Sequence, residues 1–253
     1  MAGKLRSKAA GTVSYLYGVT QSSPSRIPRI LGVDGAAGVE ALQCHGLTCW
    51  ISRVSKPEFA EELARNMENL DWLSEKSVAH QRTVTAISEL ADILPARLGT
   101  VFMSDDSLKT DIESRSHEIN ADFKRIAGSD EWGVKVFALP PKLPTKATGG
   151  VTGRDYLQAK SQVLKSRMPA TSDEEVERFE SELQKIAVDR AEAGKISAGR
   201  RDLVYQASLL IRRDARQRFE DLLRQFSNRW KGEKSIECTG PWPPYSFVSR
   251  KAI

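Results

Sequence analysis

The sequence predicts an α+β fold that closes on a ferredoxin-like unit. Two observations carry this. In the first half, runs of β-branched and aromatic residues give way to helices with a single apolar stripe. From residue 131 onward the order is strand, helices, strand, helix, strand, and three strands interleaved with helices can share one sheet. The chain has 253 residues, enough for one or two domains with real cores. Hydrophobic residues at 40% and charged residues at 28% exclude a disordered chain, a collagen and a disulfide scaffold.

The elements follow in order. Residues 1–12 are small and polar and should fray. Val13 to Val19 alternates like a strand. A Ser/Pro-rich loop runs from Ser22 to Pro28. Glu40 to Cys44 and Cys49 to Val54 form a hairpin about the four residues His45 to Thr48, with Gly46 supplying the unusual backbone angle. Three helical stripes come next. They run Phe59–Leu70, then Leu73 through His80, Val84 and Ile87 to Leu94, then Leu108–Ile126 with Arg115 in the middle. Pro95 should stop the second and Ser104 should cap the third. Trp132 to Leu139 reads as a buried strand, and 139–150 as a linker. Thr152…Asp155 and Thr171…Glu174 resemble capping boxes, the second opening a helix with Val176, Phe179, Leu183 and Ile186 on one face. Leu203 to Ile211 alternates as a central strand, and Phe219, Leu222, Leu223, Phe226 and Trp230 stripe a compact helix.

Several function classes drop out. No run approaches the ~18 apolar residues that span a bilayer, and no apolar core follows the basic start, so no secretory leader is expected. Three cysteines are an odd, sparse set that suits a reducing cytoplasm. GxGxxG, GxxxxGK[ST], GxSxG and HExxH are all missing, so we expect no enzyme, no cofactor, no metal site and no small-molecule substrate. The cluster Gly149-Gly150-Val151-Thr152-Gly153 lacks the lysine of a phosphate loop.

His80 lies on an apolar stripe with Val84 at the next helical turn, so a core histidine with both ring nitrogens hydrogen-bonded is favoured over a metal ligand. Cys44 and Cys49 should face each other across the hairpin. That register would allow a disulfide, but two free thiols suit the compartment. Cys238 has no nearby base.

Charge is uneven along the chain. Residues 1–130 carry 15 basic and 17 acidic residues, a net of −2, and 131–253 carry 23 and 16, a net of +7. Between 200 and 231, nine basic residues (Arg200, Arg201, Arg212, Arg213, Arg216, Arg218, Arg224, Arg229 and Lys231) meet four acidic ones. A nucleic-acid surface would interleave exposed aromatics, whereas Phe219, Phe226 and Trp230 take the buried stripe. A protein-docking or solvated basic face is therefore preferred, and a nucleic-acid-associated regulator is the alternative. In Gly240-Pro241-Trp242-Pro243-Pro244-Tyr245, three prolines forbid an interior ladder strand throughout and favour a stiff extended strap. Trp242 and Tyr245 are either interface rings or a lid on the core.

Thr239 to Phe247 resembles the C-terminal signature of the gas vesicle protein F/L family. Tyr15-Leu16-Tyr17-Gly18-Val19 resembles its opening strand, and Gly46-Leu47 its hairpin. His80 followed by Val84, then Leu94-Pro95-Ala96-Arg97-Leu98-Gly99-Thr100-Val101-Phe102, resembles its central block. Glu131-Trp132-Gly133-Val134-Lys135-Val136 resembles its second strand signature. Leu98 departs from the phenylalanine common there. The resemblance covers about 13–248. It implies two α+β domains, which places the boundary near 129: an N-terminal mixed domain over 1–128 and a modified ferredoxin-like domain with a helical insert over 129–253. It also implies a gas vesicle accessory protein, a minor component or assembly factor of the vesicle and cytoplasm that contacts the hydrophobic shell protein and other accessory proteins. The motif residues expected to be structural are His80, Pro95, Arg97, Gly99, Trp132, Gly133, Gly240, Pro241, Pro243, Pro244 and Phe247. Trp242, Tyr245, Arg212, Arg213, Arg216 and Arg218 are the expected partner contacts.

Overall fold

The computed structural model describes residues 11–21, 29–140, 174–191, 200 and 202–249. The chain forms two compact units, Met1–Gly128 with Trp242–Ile253, and Ser129–Pro241. The second domain was expected to run to 253, but the tail from Trp242 groups with the first unit. Pro243, Pro244 and Phe247 are buried and Tyr245 packs against that unit's core, so the strap is part of the first unit's packing.

In the first unit, β1 (Thr12–Thr20), β2 (Glu40–Cys44), β3 (Leu47–Ser55) and β4 (Ile93–Pro95) are ordered β2-β3-β1-β4, with β5 (Val101–Phe102) also on β1. All of β1 beyond its first residue is buried, so the strand is covered on both faces. Val13, Tyr15 and Tyr17 join Val54, Phe59, Val84, Ile87 and Ile93 in one core cluster. The α2 helix (Leu70–Ser88) supplies Val84 and Ile87 to it, following α1 (Leu63–Glu68). Leu16 is paired with Ile51, one residue along from Tyr15, so it faces the opposite side. The fully buried Leu108 and Ile112 of α3 (Asp105–Ser114), and Ile119 and Ile126 of α4 (Ser116–Ile126), supply further core residues. Ser104 caps α3 in a reciprocal box with Ser107.

Three local expectations change. The second stripe ends at Ser88, and Leu94 and Pro95 instead pair with Val19 and Gly18 of β1. Proline disfavours a helical residue before it, and the sheet takes the backbone groups that a helix would have used. The third stripe is two helices broken at Arg115, whose φ of −107° and ψ of 10° leave the helical region. The hairpin turn has two central residues, His45 and Gly46, at φ of 49° and 79°. Cys44 therefore pairs with Leu47 and Cys49 with Leu42, so the two cysteines sit diagonally instead of face to face. Both are free and buried.

In the second unit, β6 (Ser129–Ala138), α5 (Glu174–Gln184), β7 (Asp189–Ala191), β8 (Leu203–Arg212), α6 (Arg216–Arg229) and β9 (Lys234–Trp242) follow in sequence. The sheet order is β7-β8-β6-β9. Counting strands from β6, the spatial order is second, third, first, fourth, which is the ferredoxin-like arrangement. Trp132, Val134 and Val136 of β6 and Tyr205, Ala207, Leu209 and Ile211 of β8 alternate onto the face packed by Val176, Phe179 and Leu183 of α5 and Phe219 and Phe226 of α6. The expected loop at 22–28, the glycine cluster at 149–153, both capping boxes' first residues, Arg201 and most of the helical insert lie outside the described residues.

Candidate functional site

The motif segments gather into two nodes, one in each unit. In the first, His80 is held by α2 against β1 and the chain leaving β4. Its Nδ1 is 2.8 Å from the Tyr15 hydroxyl and its Nε2 is 3.1 Å from the Ala96 carbonyl. The carbonyl can only accept, so Nε2–H donates to it. Nδ1 then accepts from Tyr15. The Tyr15 oxygen in turn accepts from the Gly99 N–H at 3.2 Å. Gly99 has φ of 82°, a left-handed angle that suits glycine, and a turn in which Thr100 bonds back to the Arg97 carbonyl brings it there. Tyr17, stacked on His80 at 5.7 Å, accepts from the Val33 N–H and bonds Ser52. Burial pushes His80 down to about 4 and Tyr17 up to about 12, and drives Tyr15 well above the ordinary phenol range. This is a buried, fully bonded core histidine. Pro95 is buried beside it in β4, whereas the Arg97 side chain is exposed.

In the second node, Trp132 and Gly133 on β6 meet Gly240 on β9. The Leu139 N–H reaches the Glu233 carbonyl at 2.7 Å, while Gly133 lies beside Thr239, so the strands run antiparallel. A Cβ on Gly133 would stand 2.8 Å from the Thr239 hydroxyl. One on Gly240, at φ of 130°, would stand 2.8 Å from the Glu131 carbonyl and 3.1 Å from the Trp132 ring. Gly240 is therefore required by close approach to backbone and ring, whereas at Gly133 only the Thr239 side chain would have to turn away. Pro241 sits on this edge strand, where a missing N–H is tolerated.

The strap separates its two aromatic rings. Trp242 is 43% exposed. Tyr245 is half-buried, 6.3 Å from the His80 ring, and Pro243, Pro244 and Phe247 are buried. One ring of the strap thus closes the first unit's core and the other faces water.

The basic residues at the start of α6 are exposed but paired. Arg212 bonds Asp214 at 2.9 Å, Arg213 bonds Asp130 at 3.1 Å and Arg216 bonds Glu220 at 2.8 Å, with the Arg216 guanidinium 5.2 Å from the Trp132 ring centre. Arg218 is exposed beside them. Exposed pairs of this kind contribute little to stability and are screened by salt. Burial pushes the Cys238 thiol up to about 11, and the hydrogen bond to Cys44 together with burial pushes Cys49 up, so neither is an activated thiolate. Among the described residues no three His, Cys, Asp or Glu side chains gather as a metal site, and no helix is long and apolar enough to cross a membrane.

Sequence reasoning missed Asp122 and Arg125 on α4. Asp122 is 1% exposed, and its carboxylate accepts from the Ser249 N–H and the Ser249 hydroxyl, both at 2.8 Å, and from Arg125. Arg125 also donates to the Phe247 carbonyl. The one available signal was an aspartate one residue before Phe123 on an apolar stripe, a spacing shared by many solvated carboxylates.

Residues 13–249 match the family described as Gas vesicle synthesis protein GvpL/GvpF. The chain is 31% identical to Gas vesicle protein L of Streptomyces sp. (strain CB03234) over 251 residues, 93% of this chain and 92% of that protein. It is 24% identical to Gas vesicle protein F2 of Halobacterium salinarum over 237 residues, 92% of this chain and 91% of that one. The fold is similar to the crystal structure of the gas vesicle protein GvpF from Anabaena sp. PCC7120, with a TM-score of 0.69 at 16% identity over 94% of this chain and 99% of that one. GvpF from Microcystis aeruginosa gives 0.66 at 18% identity, again over 94% and 99%.

Proposed function

The chain belongs to the GvpL/GvpF family of gas vesicle accessory proteins, and from that premise we propose that it binds the hydrophobic shell protein during wall assembly. It acts by contact, at the vesicle and in the cytoplasm, together with other accessory proteins of the vesicle. A shell subunit with exposed apolar surface aggregates before it reaches the wall. An accessory protein that covers this surface with a rigid aromatic ring, and steers the encounter with charge, keeps the subunit soluble and helps nucleate the wall. The observation that supports this reading is the 43% exposure of Trp242 on a strap whose neighbouring prolines are buried. A preorganised ring loses little entropy on binding. Arg212, Arg213, Arg216 and Arg218 supply the steering charge.

Co-purification with the shell protein tests it. Trp242→Ala should cut capture by about tenfold or more, as loss of a buried aromatic anchor does. Reversing Arg212, Arg213, Arg216 and Arg218 to Glu should weaken capture most at low salt, with the fold kept as judged by circular dichroism. Capture unchanged in both variants refutes the reading. Binding to DNA with a steep salt dependence would favour a nucleic-acid regulator instead.

A further inference from the structure

We propose that the C-terminal strap is a latch on the first unit, closed by Asp122 and Arg125, and that its closure sets the position from which Trp242 is presented. The positioning role rests on the reading of Trp242 above; the latch itself rests on the bonds alone. Two anchors hold the strap downstream of Trp242. Tyr245 and Phe247 form the apolar one, Tyr245 against the His80 cluster and Phe247 buried. The polar one lies two residues further on. There the nearly inaccessible Asp122 carboxylate receives the Ser249 N–H and hydroxyl, each at 2.8 Å, and Arg125 ties the same carboxylate to the Phe247 carbonyl. Four hydrogen bonds thus converge on two side chains of α4, three of them on one carboxylate.

The geometry gives this carboxylate a specific task. A buried carboxylate needs partners in every direction, and without the tail its oxygens would lose the two donors that Ser249 supplies beside Arg125. The docked strap supplies the donors that the water-excluded carboxylate needs, whereas undocking returns it to water, so docking holds only while these bonds are made. Trp242 lies three residues before Tyr245 and seven before Ser249 on a segment with two buried prolines, so little slack separates ring and anchors. Asp122 and Arg125 act through the strap and not on the partner, which makes them positioning residues.

The test uses the full chain and two readouts. Backbone hydrogen exchange followed by mass spectrometry reports on 244–249, and shell-protein capture reports on presentation. Ser249→Asp sets a second carboxylate against Asp122, and Asp122→Asn keeps the shape while removing the charge. Each should raise exchange in the strap by about tenfold or more, the scale of losing a charge-assisted hydrogen bond, while exchange in β8 stays unchanged. Capture should fall alongside it. Ser249→Ala, which keeps the N–H bond, should give a smaller effect in both. Strap exchange that does not respond to Ser249→Asp overturns the latch, and raised exchange with full capture overturns its positioning role. Loss of protection in β8 as well would show general unfolding and also overturn the proposal for that variant, which is why Ser249→Ala, the mildest change, is included. Capture that ignores Trp242→Ala refutes the reading of that ring, and the exchange readout then decides the latch by itself.

Discussion

The two sheets solve the same problem with different chemistry. The first unit threads polar groups through its core: His80, Tyr15 and the backbone at Ala96 and Gly99 form one bonded group, and Tyr17 with Ser52 and the Val33 N–H forms a second stacked against it. The second unit fills its core with rings. Phe179 stands 5.8 Å from Tyr205, 5.0 Å from Phe226 and 5.2 Å from Trp230, and the charges of α6 stay outside in surface pairs. A polar core is specific but costly to disturb by proton or by substitution, whereas an aromatic core is sensitive to volume and indifferent to pH. The motif residues therefore mean different things in the two units. Most of them hold the fold, and Trp242 is the exposed ring among them.

The two cores should respond differently to three perturbations. The largest effect is expected for Phe179→Ala, which should destabilise the second unit by about 3–5 kcal/mol, read by urea unfolding with a probe in β8. The effect should be the same at pH 5 and pH 7. An effect that varied strongly with pH would erase the distinction between the cores.

The second concerns acid. Native His80 stays neutral down to about 4, while the unfolded side chain takes a proton near its ordinary 6.5. The unfolded state binds more protons through that window, so stability falls as pH drops from 6.5 towards 4 and is level above it. The loss should be about 3 kcal/mol at the acid end. His80→Asn should be less stable at pH 7 but should lose this slope. A variant that keeps the wild-type slope would place the acid-sensitive group elsewhere.

The smallest is Gly240→Ala. A methyl group there meets the Glu131 carbonyl and the Trp132 ring at a backbone angle that favours glycine. It should cost about 1–3 kcal/mol, with the loss seen in the second unit's unfolding transition. Neutrality at this position would show that Gly240 approaches the Glu131 carbonyl and the Trp132 ring less closely than the structure has it.

Much of this is legible along the chain. The hairpin, the α2 stripe, the Ser104 cap, the central β8 alternation and the bonded histidine all follow from local periodicity and from the rule that buried polar groups find partners. The departures have one origin. Leu94 continues the rhythm of a helix that Pro95 should end, but pairing with β1 claims both. Cys44 and Cys49 look opposed across a turn of four residues, and a two-residue turn shifts every pair by one position on each strand.

Local patterning along the chain is enough for most of the helices and strands, for the α+β class, and for a family signature dense enough to point to the gas vesicle lineage. Those properties are set by neighbours a few residues apart. The long-range contacts are what put the strap in the first unit, turn Tyr245 in and Trp242 out, pair Arg213 with Asp130, and make Asp122 hold the tail. Each of these depends on which distant groups meet, and Asp122 and Ser249 are 127 residues apart. Burial turns one ordinary aspartate into an anchor, and no pattern within a helical turn records that.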